Sequence, residues 1–510
     1  MFIIEIGSFS MSRQCVSLLC DMRLKIRSPV VFVSFVVFCC LILLAINIYE
    51  LQWMKTEHIR YHHNDKAKIQ ETSATVTNAP VFLAYGKNVD SGHLKHVFEM
   101  FQHFGYIRGS LELSDHWDVL WAHDYPFRKL STKLKNLKSH QMVNHFPGSG
   151  FITNKMDLAV SNIPHIPRAF KIPQQTQELL DYASTIKKFV QKSNDHRGIK
   201  IETVETLNLK ANGSFLQEYI DKPFLVDGYK FDIGVYTIIT SIDPLRVYIY
   251  NGDILFRYCP EKYHPFDPKN LNKYVIGDDY LPTWEVPSLK KLYTELGYSM
   301  RDSFNAYVRS LGKDPSKIWL QVEEAIRAVC LAKESAISKV LSTLPSHRNF
   351  FEMVRFDFVV DENLNVFIME ANMSPNLSSA HFLPNQLLYE QVLFNLFNLV
   401  GLASKINITK AEVATKNVAV SAAECTSAVC VGCMAPQCQL CLPCLTPDTL
   451  DTLYRAYREH TSRHDCHRIF PPPMTQESAE TTEVSDLLSP ENQLMVRWFQ
   501  AKCKQDSSWC

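Results

Sequence analysis

The chain has 510 residues, 46% of them hydrophobic and 21% charged, which excludes a disordered or fibrous protein and leaves room for two or three domains. Lys and Arg together number 53, as do Asp and Glu, so no global field draws the protein onto nucleic acid or acidic polypeptides. An acidic substrate would need a local basic groove, and no nucleic-acid partner is expected.

The N-terminal segment, 1–27, carries Arg13, Arg23, Lys25 and Arg27. Residues 28–49, from Ser28 to Tyr49, contain no charge, and at about 1.5 Å per residue they reach across a bilayer core of roughly 30 Å. They predict one transmembrane helix and a single-pass membrane protein. The run is too long and too far in for a cleaved signal peptide. Lys55, Arg60 and Lys66 follow it, the last two at greater distance or diluted by acids and histidines, and the positive-inside bias then favours a cytosolic N-terminus with the bulk of the chain in the lumen. Residues 50–79 read as a polar stem.

A compact domain over 80–402 is predicted to begin with a strand at Val81–Tyr85, followed by the helical period of Leu94, Val97, Phe98, Phe101 and Phe104. His145 is expected as a packed, hydrogen-bonded histidine rather than a ligand. Phe189 to Lys192 reads as a strand ending in a cation, and the polar loop Ser193 to Gly198 could fold over phosphates with Lys192 and Arg197. Phe215 to Ile220 is a further strand. Strands at Val235–Thr240 and Arg246–Tyr250 pair across the turn between them, and Arg257 ends the next one. Lys230 and Arg257 read equally well as solvated strand ends.

The stretch from Phe351 to Pro375 organises the rest. Two runs rich in β-branched and aromatic residues flank the turn-forming Asp361 to Asn365, which predicts an antiparallel hairpin. Glu370 and Asn372 share one face of its second strand, and the turn can carry Asp357 to the same end. Two carboxylates and an amide oxygen converging there would suit Mg²⁺ holding nucleotide phosphates; the alternative is a half-buried hairpin with an ordinary wet face. The tail, 403–510, is Cys-rich: nine of the 15 cysteines lie from Cys425 onward. They read as a disulfide-stapled module, or as a zinc site built from the C-x-x-C spacings at Cys430/Cys433 and Cys438/Cys441/Cys444. Cys259 and Cys330 read as core residues.

Three segments, QMVNHFPGSGFITNKMDL, FLQEYIDKPFLVDGYKFDIGVYTIIT and FDFVVDENLNVFIMEANMSP, resemble in order and spacing the signature segments of the tubulin tyrosine ligase-like family over about 80–402. The resemblance implies an α+β fold, ATP-grasp-like, of mixed sheets with flanking helices. It implies a ligase that uses ATP and Mg²⁺ to join an amino acid to tubulin or another protein through an acyl-phosphate. On it, Lys155, Lys192, Lys230 and Arg257 match the cations on the phosphates, with Lys230, Arg257 and Glu370 catalytic. Gln217, Tyr219 and Ile220 match the strand bordering adenine, and Asp357, Glu370 and Asn372 match the magnesium ligands. Glutamate is the amino acid the resemblance favours, and tubulin polyglutamylation the activity.

Two positions depart from the family pattern: Lys192 is followed by Ser193 and a short loop, and Gly234 stands where an arginine is common. The second removes a cation, which keeps open a catalytically weakened membrane-anchored scaffold. The sequons at Asn212, Asn376 and Asn407 would be used only in the lumen, whereas tubulin is cytosolic, so the orientation stays open between a catalytic domain in the cytosol and a ligase on a non-tubulin lumenal protein, the other alternative.

Overall fold

The structure is a computed structural model and describes residues 79–112, 116–183, 188–193, 199–203, 206–403 and 425–510. The chain divides into two units, Met1–Asn78 and Ala79–Cys510; the first lies outside the described residues.

The second unit opens with a parallel sheet. Val81–Tyr85 (β1), Ile107–Arg108 (β2), Val119–Ala122 (β3) and Met142–Val143 (β4) are ordered β2-β1-β3-β4. The helix after β1, Lys95–His103 (α1), buries Val97, Met100 and Phe101, the i, i+3, i+4 stripe of an amphipathic helix. Phe101 stacks on Phe82 of β1 at 4.3 Å. A short helix, Lys155–Ala159 (α2), is capped by Asn154, whose side chain accepts from the Met156 and Asp157 amides.

An antiparallel sheet follows: Ala169–Ile172 (β5), Phe189–Ser193 (β6), Lys200–Glu202 (β7) and Ser214–Glu218 (β8), in the order β5-β8-β6-β7. Its register sets Gln217 opposite both Ala169 and Val190.

The largest sheet is built on Phe231–Ile242 (β9). Leu245–Tyr250 (β10) and Leu255–Tyr258 (β11) pair with its two halves along one edge, and Glu352–Val360 (β13) pairs along the other. Leu281–Pro282 (β12) extends β11, and Val366–Asn372 (β14) extends β13. β10 and β13 are buried at every residue, so the sheet is covered on both faces and its strands need no polar alternation. One cover is the helix Ser316–Leu341 (α3), which buries Ile318, Val322, Ala325, Ile326, Val329 and Cys330. A second helix, Asn385–Leu399 (α4), follows the hairpin.

The boundary expected at 402 falls inside this unit. After the helix Pro447–Thr461 (α5), Cys466–Phe470 (β15) pairs antiparallel with β10 and ends the sheet. The helix Pro490–Gln505 (α6) brings Met495, Trp498 and Phe499 into a small core with Leu453, Ala456 and Trp509. Eight of the nine tail cysteines form disulfides, Cys425–Cys441, Cys430–Cys438, Cys433–Cys444 and Cys503–Cys510, so their sulfurs are committed to one another rather than to zinc, and Cys466 is buried and free.

The membrane expectation is corrected. No helix among the described residues is long and apolar enough to cross a membrane, and the 28–49 run lies outside the described residues. Even the longest helix among the described residues, α3, carries Lys317, Glu323, Glu324, Arg327, Lys333, Glu334 and Lys339 along its length, a pattern that covers a sheet with one face and meets water with the other. Among the described residues the fold is α+β with three sheets and flanking helices; the transmembrane helix expected in front of it, the single-pass placement and the lumenal location built on that helix find no support there.

Candidate active site

The site lies where the β5–β8 sheet meets the near end of β9, β11, β13 and β14. A cavity of about 200 Å³ opens there, lined among others by Lys155, Lys192, Lys230, Arg257, Asp357 and Glu370. They come from separate stretches of sequence, Lys155 from a helix and Lys192 from β6, and strand pairing aligns those of the large sheet. β9 sets Asp232 opposite Arg257 and Gly234 opposite Asp357. In the hairpin, Asp357 stands opposite Glu370 and Arg355 opposite Asn372, and the register slips just beyond Asp357. Such a bulge re-aims side chains at a strand end.

The carboxylates sit in a charge-assisted network. Asn372 Nδ2 bridges Asp357 Oδ2 at 3.0 Å and Glu370 Oε1 at 3.1 Å, while Lys155 Nζ meets Glu370 Oε2 at 2.9 Å. Arg257 grips Asp232 with Nε and Nη2 at 2.9 and 2.7 Å and reaches Asp357 Oδ2 at 2.8 Å. Burial works to raise the Glu370 carboxyl, but the charge and hydrogen bond of Lys155 outweigh it and hold it down at about 2. Asp232 moves the other way, to about 6, because burial and the neighbouring Asp357 outweigh the Arg257 charge.

Two lysines are held differently. Lys192 Nζ donates to Gln217 Oε1 at 2.9 Å and Lys230 Nζ to the Tyr274 carbonyl at 2.8 Å; both acceptors are neutral. Burial pushes Lys192 down to about 8 and also lowers Lys230. An anion entering the cavity would supply the countercharge that both lack. Tyr219, whose hydroxyl meets that of Tyr263 at 2.9 Å, and Ile220 line the same cavity beside Val190 and Ile201, giving an apolar slot next to the cations.

Of the residues singled out from sequence, Lys155, Lys192, Gln217, Tyr219, Ile220, Lys230, Arg257, Asp357 and Glu370 line this one cavity, and Asn372 joins through its hydrogen bonds. Arg197 lies outside the described residues. His145 is buried between Glu352, at 2.6 Å from Nδ1, and the Ala122 carbonyl, at 2.8 Å from Nε2, away from the cavity lining. Cys259 and Cys330 are buried, and burial raises both thiols to about 12, which suits core residues rather than nucleophiles.

Arg355 and Asp232 were missed. Arg355 is 6% exposed and clamps Asp357 through Nε at 2.7 Å and Nη2 at 2.9 Å. It can lie there because Gly234 has no side chain: a Cβ at that position would stand 2.9 Å from Arg355 Cδ and 3.4 Å from Asp357 Oδ1. The cation that Gly234 appeared to remove therefore arrives from the neighbouring strand. The sequence signal was available in period two, since Arg355 shares a strand face with Asp357.

The donor set suits a hard divalent cation. Two carboxylate oxygens flank a single amide group, whose electropositive end now occupies the space between them, and turning that amide over would present a third oxygen.

Residues 132–410 match the description "Tubulin-tyrosine ligase family". The chain is 41% identical over 472 residues to the probable tubulin polyglutamylase ttll-15 of Caenorhabditis elegans, an alignment covering 88% of this chain and 90% of that protein. It is 30% identical over 315 residues to the tubulin polyglutamylase TTLL6 of Mus musculus, covering 56% of this chain and 37% of that one. With the tubulin monoglutamylase TTLL4 of Homo sapiens the identity is 26% over 311 residues, covering 56% and 25%. With a family match over more than half its length and a relative aligned along nearly all of it, the chain belongs to the tubulin-tyrosine ligase family.

Proposed function

We propose that the protein is an ATP- and Mg²⁺-dependent ligase that adds glutamate to tubulin. The observation that carries the reading is the cavity itself: the cations Lys192 and Lys230 rest on neutral acceptors in a cavity that the carboxylates Asp357 and Glu370 also line. That arrangement is short of negative charge and has a hard-oxygen pair in its lining, which suits a metal-bound polyphosphate. The choice of glutamate and tubulin rests on the relatives, which carry the names of tubulin polyglutamylases and a monoglutamylase.

ATP, when bound, supplies the phosphoryl group that makes a carboxylate open to attack by an amine, and Mg²⁺ offsets the phosphate charge. Asp357, Glu370 and Asn372 would hold the metal. Lys155, Lys192 and Lys230 would neutralise phosphate oxygens, and Arg257 would face the reacting carboxylate. Fixed cations of this kind stabilise charge most where it develops, at no cost of reorganisation. Val190, Ile201, Tyr219 and Ile220 would take the base. The neighbouring Arg355 favours the catalytic reading over a weakened scaffold, because it restores a guanidinium beside Asp357.

The full chain incubated with ATP, Mg²⁺ and labelled glutamate should label tubulin. Glu370→Gln, which removes a metal-binding charge at nearly constant volume, should lower transfer by about a hundredfold or more with an unchanged circular-dichroism spectrum. Equal labelling by both proteins would place the site elsewhere; labelling with glycine alone would overturn the choice of amino acid.

A further inference from the structure

Outside the cavity lining, α1 and α4 bring three ligand-type side chains together. His96 and Glu99 lie three apart on one face of α1, and Glu390 comes from α4. His96 Nδ1, Glu99 Oε2 and Glu390 Oε1 all lie within 4.8 Å of one another. His96 is 2% exposed, and its Nδ1 makes no hydrogen bond. Both carboxylate oxygens stand 3.3 Å from it.

His145 shows what a proton-sharing histidine looks like in the same molecule: one carboxylate oxygen at 2.6 Å from Nδ1. The His96 contacts are longer and equal. Ligands about 2.0–2.1 Å from a tetrahedral zinc stand about 3.3 Å apart, which matches these separations. The other ring nitrogen, Nε2, lies 2.8 Å from Ser379 Oγ. With the ring proton on that side, Nδ1 turns a lone pair toward two carboxylates, and a hydroxyl partner of this kind is what fixes the tautomer of a metal-bound histidine. Lys95 approaches Glu99 through its other oxygen, Oε1, at 3.7 Å. Glu390 Oε1 also accepts from Gln386 Nε2 at 2.7 Å, which leaves that oxygen a second lone pair.

We propose that His96, Glu99 and Glu390 bind a divalent transition-metal ion, with water as the fourth ligand. One imidazole and two carboxylates favour zinc over magnesium. The ion joins α1 to α4, and through Ser379 it reaches the loop that follows β14, the strand of Glu370 and Asn372. It is a structural clamp beside the cavity rather than part of it.

The test uses the full chain stripped with EDTA and dialysed against Zn²⁺ in excess Mg²⁺, which occupies the cavity carboxylates. Metal analysis should find one equivalent of zinc more in the wild type than in Glu99→Gln or Glu390→Gln. Each variant should bind that ion at least about tenfold more weakly and should lack the gain in melting temperature that the wild type shows on adding zinc. Glu99 is half exposed, so its variant does not threaten folding, and Glu370→Gln should retain the ion. Zinc uptake equal in the wild type and both variants, or no uptake by the wild type, overturns the proposal.

Discussion

Two buried ion networks sit on the large sheet and differ in how their charges balance. Toward the tail, Arg246 of β10 meets Glu459 of α5 through Nε at 2.8 Å and Nη2 at 3.0 Å, and Glu459 also accepts from Thr240 Oγ1 at 2.9 Å and Tyr248 OH at 3.3 Å. One anion answers one cation, so the charges balance within the chain, although Arg246 Nη1 is left without a hydrogen bond. At the cavity, Arg257 and Arg355 converge on Asp232 and Asp357, yet Lys192 and Lys230 beside them rest on a side-chain amide oxygen and a backbone carbonyl. Both networks are buried and hydrogen-bonded, so burial does not separate structure from function here. What separates them is whether the charge is balanced within the protein or waits for a ligand.

The largest effects should come from dismantling each network in pairs. Arg246→Met alone strands Glu459 and should cost about 3–5 kcal/mol in chemical denaturation. Adding Glu459→Leu should recover most of that, since a well-packed apolar pair replaces a buried ion pair at little net cost, and glutamate transfer per folded molecule should stay at the wild-type level. The matching pair in the cavity, Arg257→Met with Asp232→Leu, should also recover stability but leave transfer down by about a hundredfold or more. Wild-type transfer in that second pair would erase the distinction between the networks.

A smaller effect is expected at the join of β9 and β13. Gly234→Ala places a Cβ 2.9 Å from Arg355 Cδ, so the guanidinium must move off Asp357, at a cost of about 1–3 kcal/mol and with a fall in transfer. The exchange Gly234→Arg with Arg355→Gly returns a guanidinium to Asp357 from the other strand and should restore transfer to within about tenfold of wild type if charge position is what counts. Failure of the exchange, with the fold intact by circular dichroism, would show that Arg355 acts through its own strand geometry instead.

That join also marks how far the sequence could be read. The hairpin was visible because its turn is chemically marked: Asp361 accepts from the Asn363 and Asn365 amides, and Leu364 takes a positive φ of 64°. Glu370 and Asn372 followed from the two-residue period. Arg355 carried the same period beside Asp357, but its strand is buried at every residue, so no alternation of wet and dry faces marked which side of the sheet it occupies. The tail misled for a different reason. Its change in composition suggested a separate module, but β15 pairs with β10 across more than two hundred residues, and long-range pairing of that kind leaves no local trace. Residues 28–49 gave the strongest single hydropathy signal, and the described helices contain nothing that continues it.

The mildest test leaves the sequence intact and changes only pH. Burial holds the Lys192 ammonium down at about 8, opposed by the attraction of Glu370 and helped by repulsion from Lys230 and Lys155. In the unfolded chain a lysine titrates near 10.4. Between those values the unfolded state binds more protons, so the stability contributed by this group rises with pH across that window, while below about 8 the charged lysine is a cost to folding. Binding a phosphate needs the charged form and runs the opposite way. Affinity for Mg·ATP, measured by calorimetry, should be highest below about pH 8 and fall on the order of tenfold by pH 9 to 9.5. Lys192→Met should bind more weakly at pH 7 and lose this slope. Lys192→Arg should keep the affinity and also lose the slope, because a guanidinium stays charged throughout. A wild-type slope equal to that of both variants would mean that the proton is lost elsewhere, with Lys230, lowered by the same burial, as the next residue to substitute.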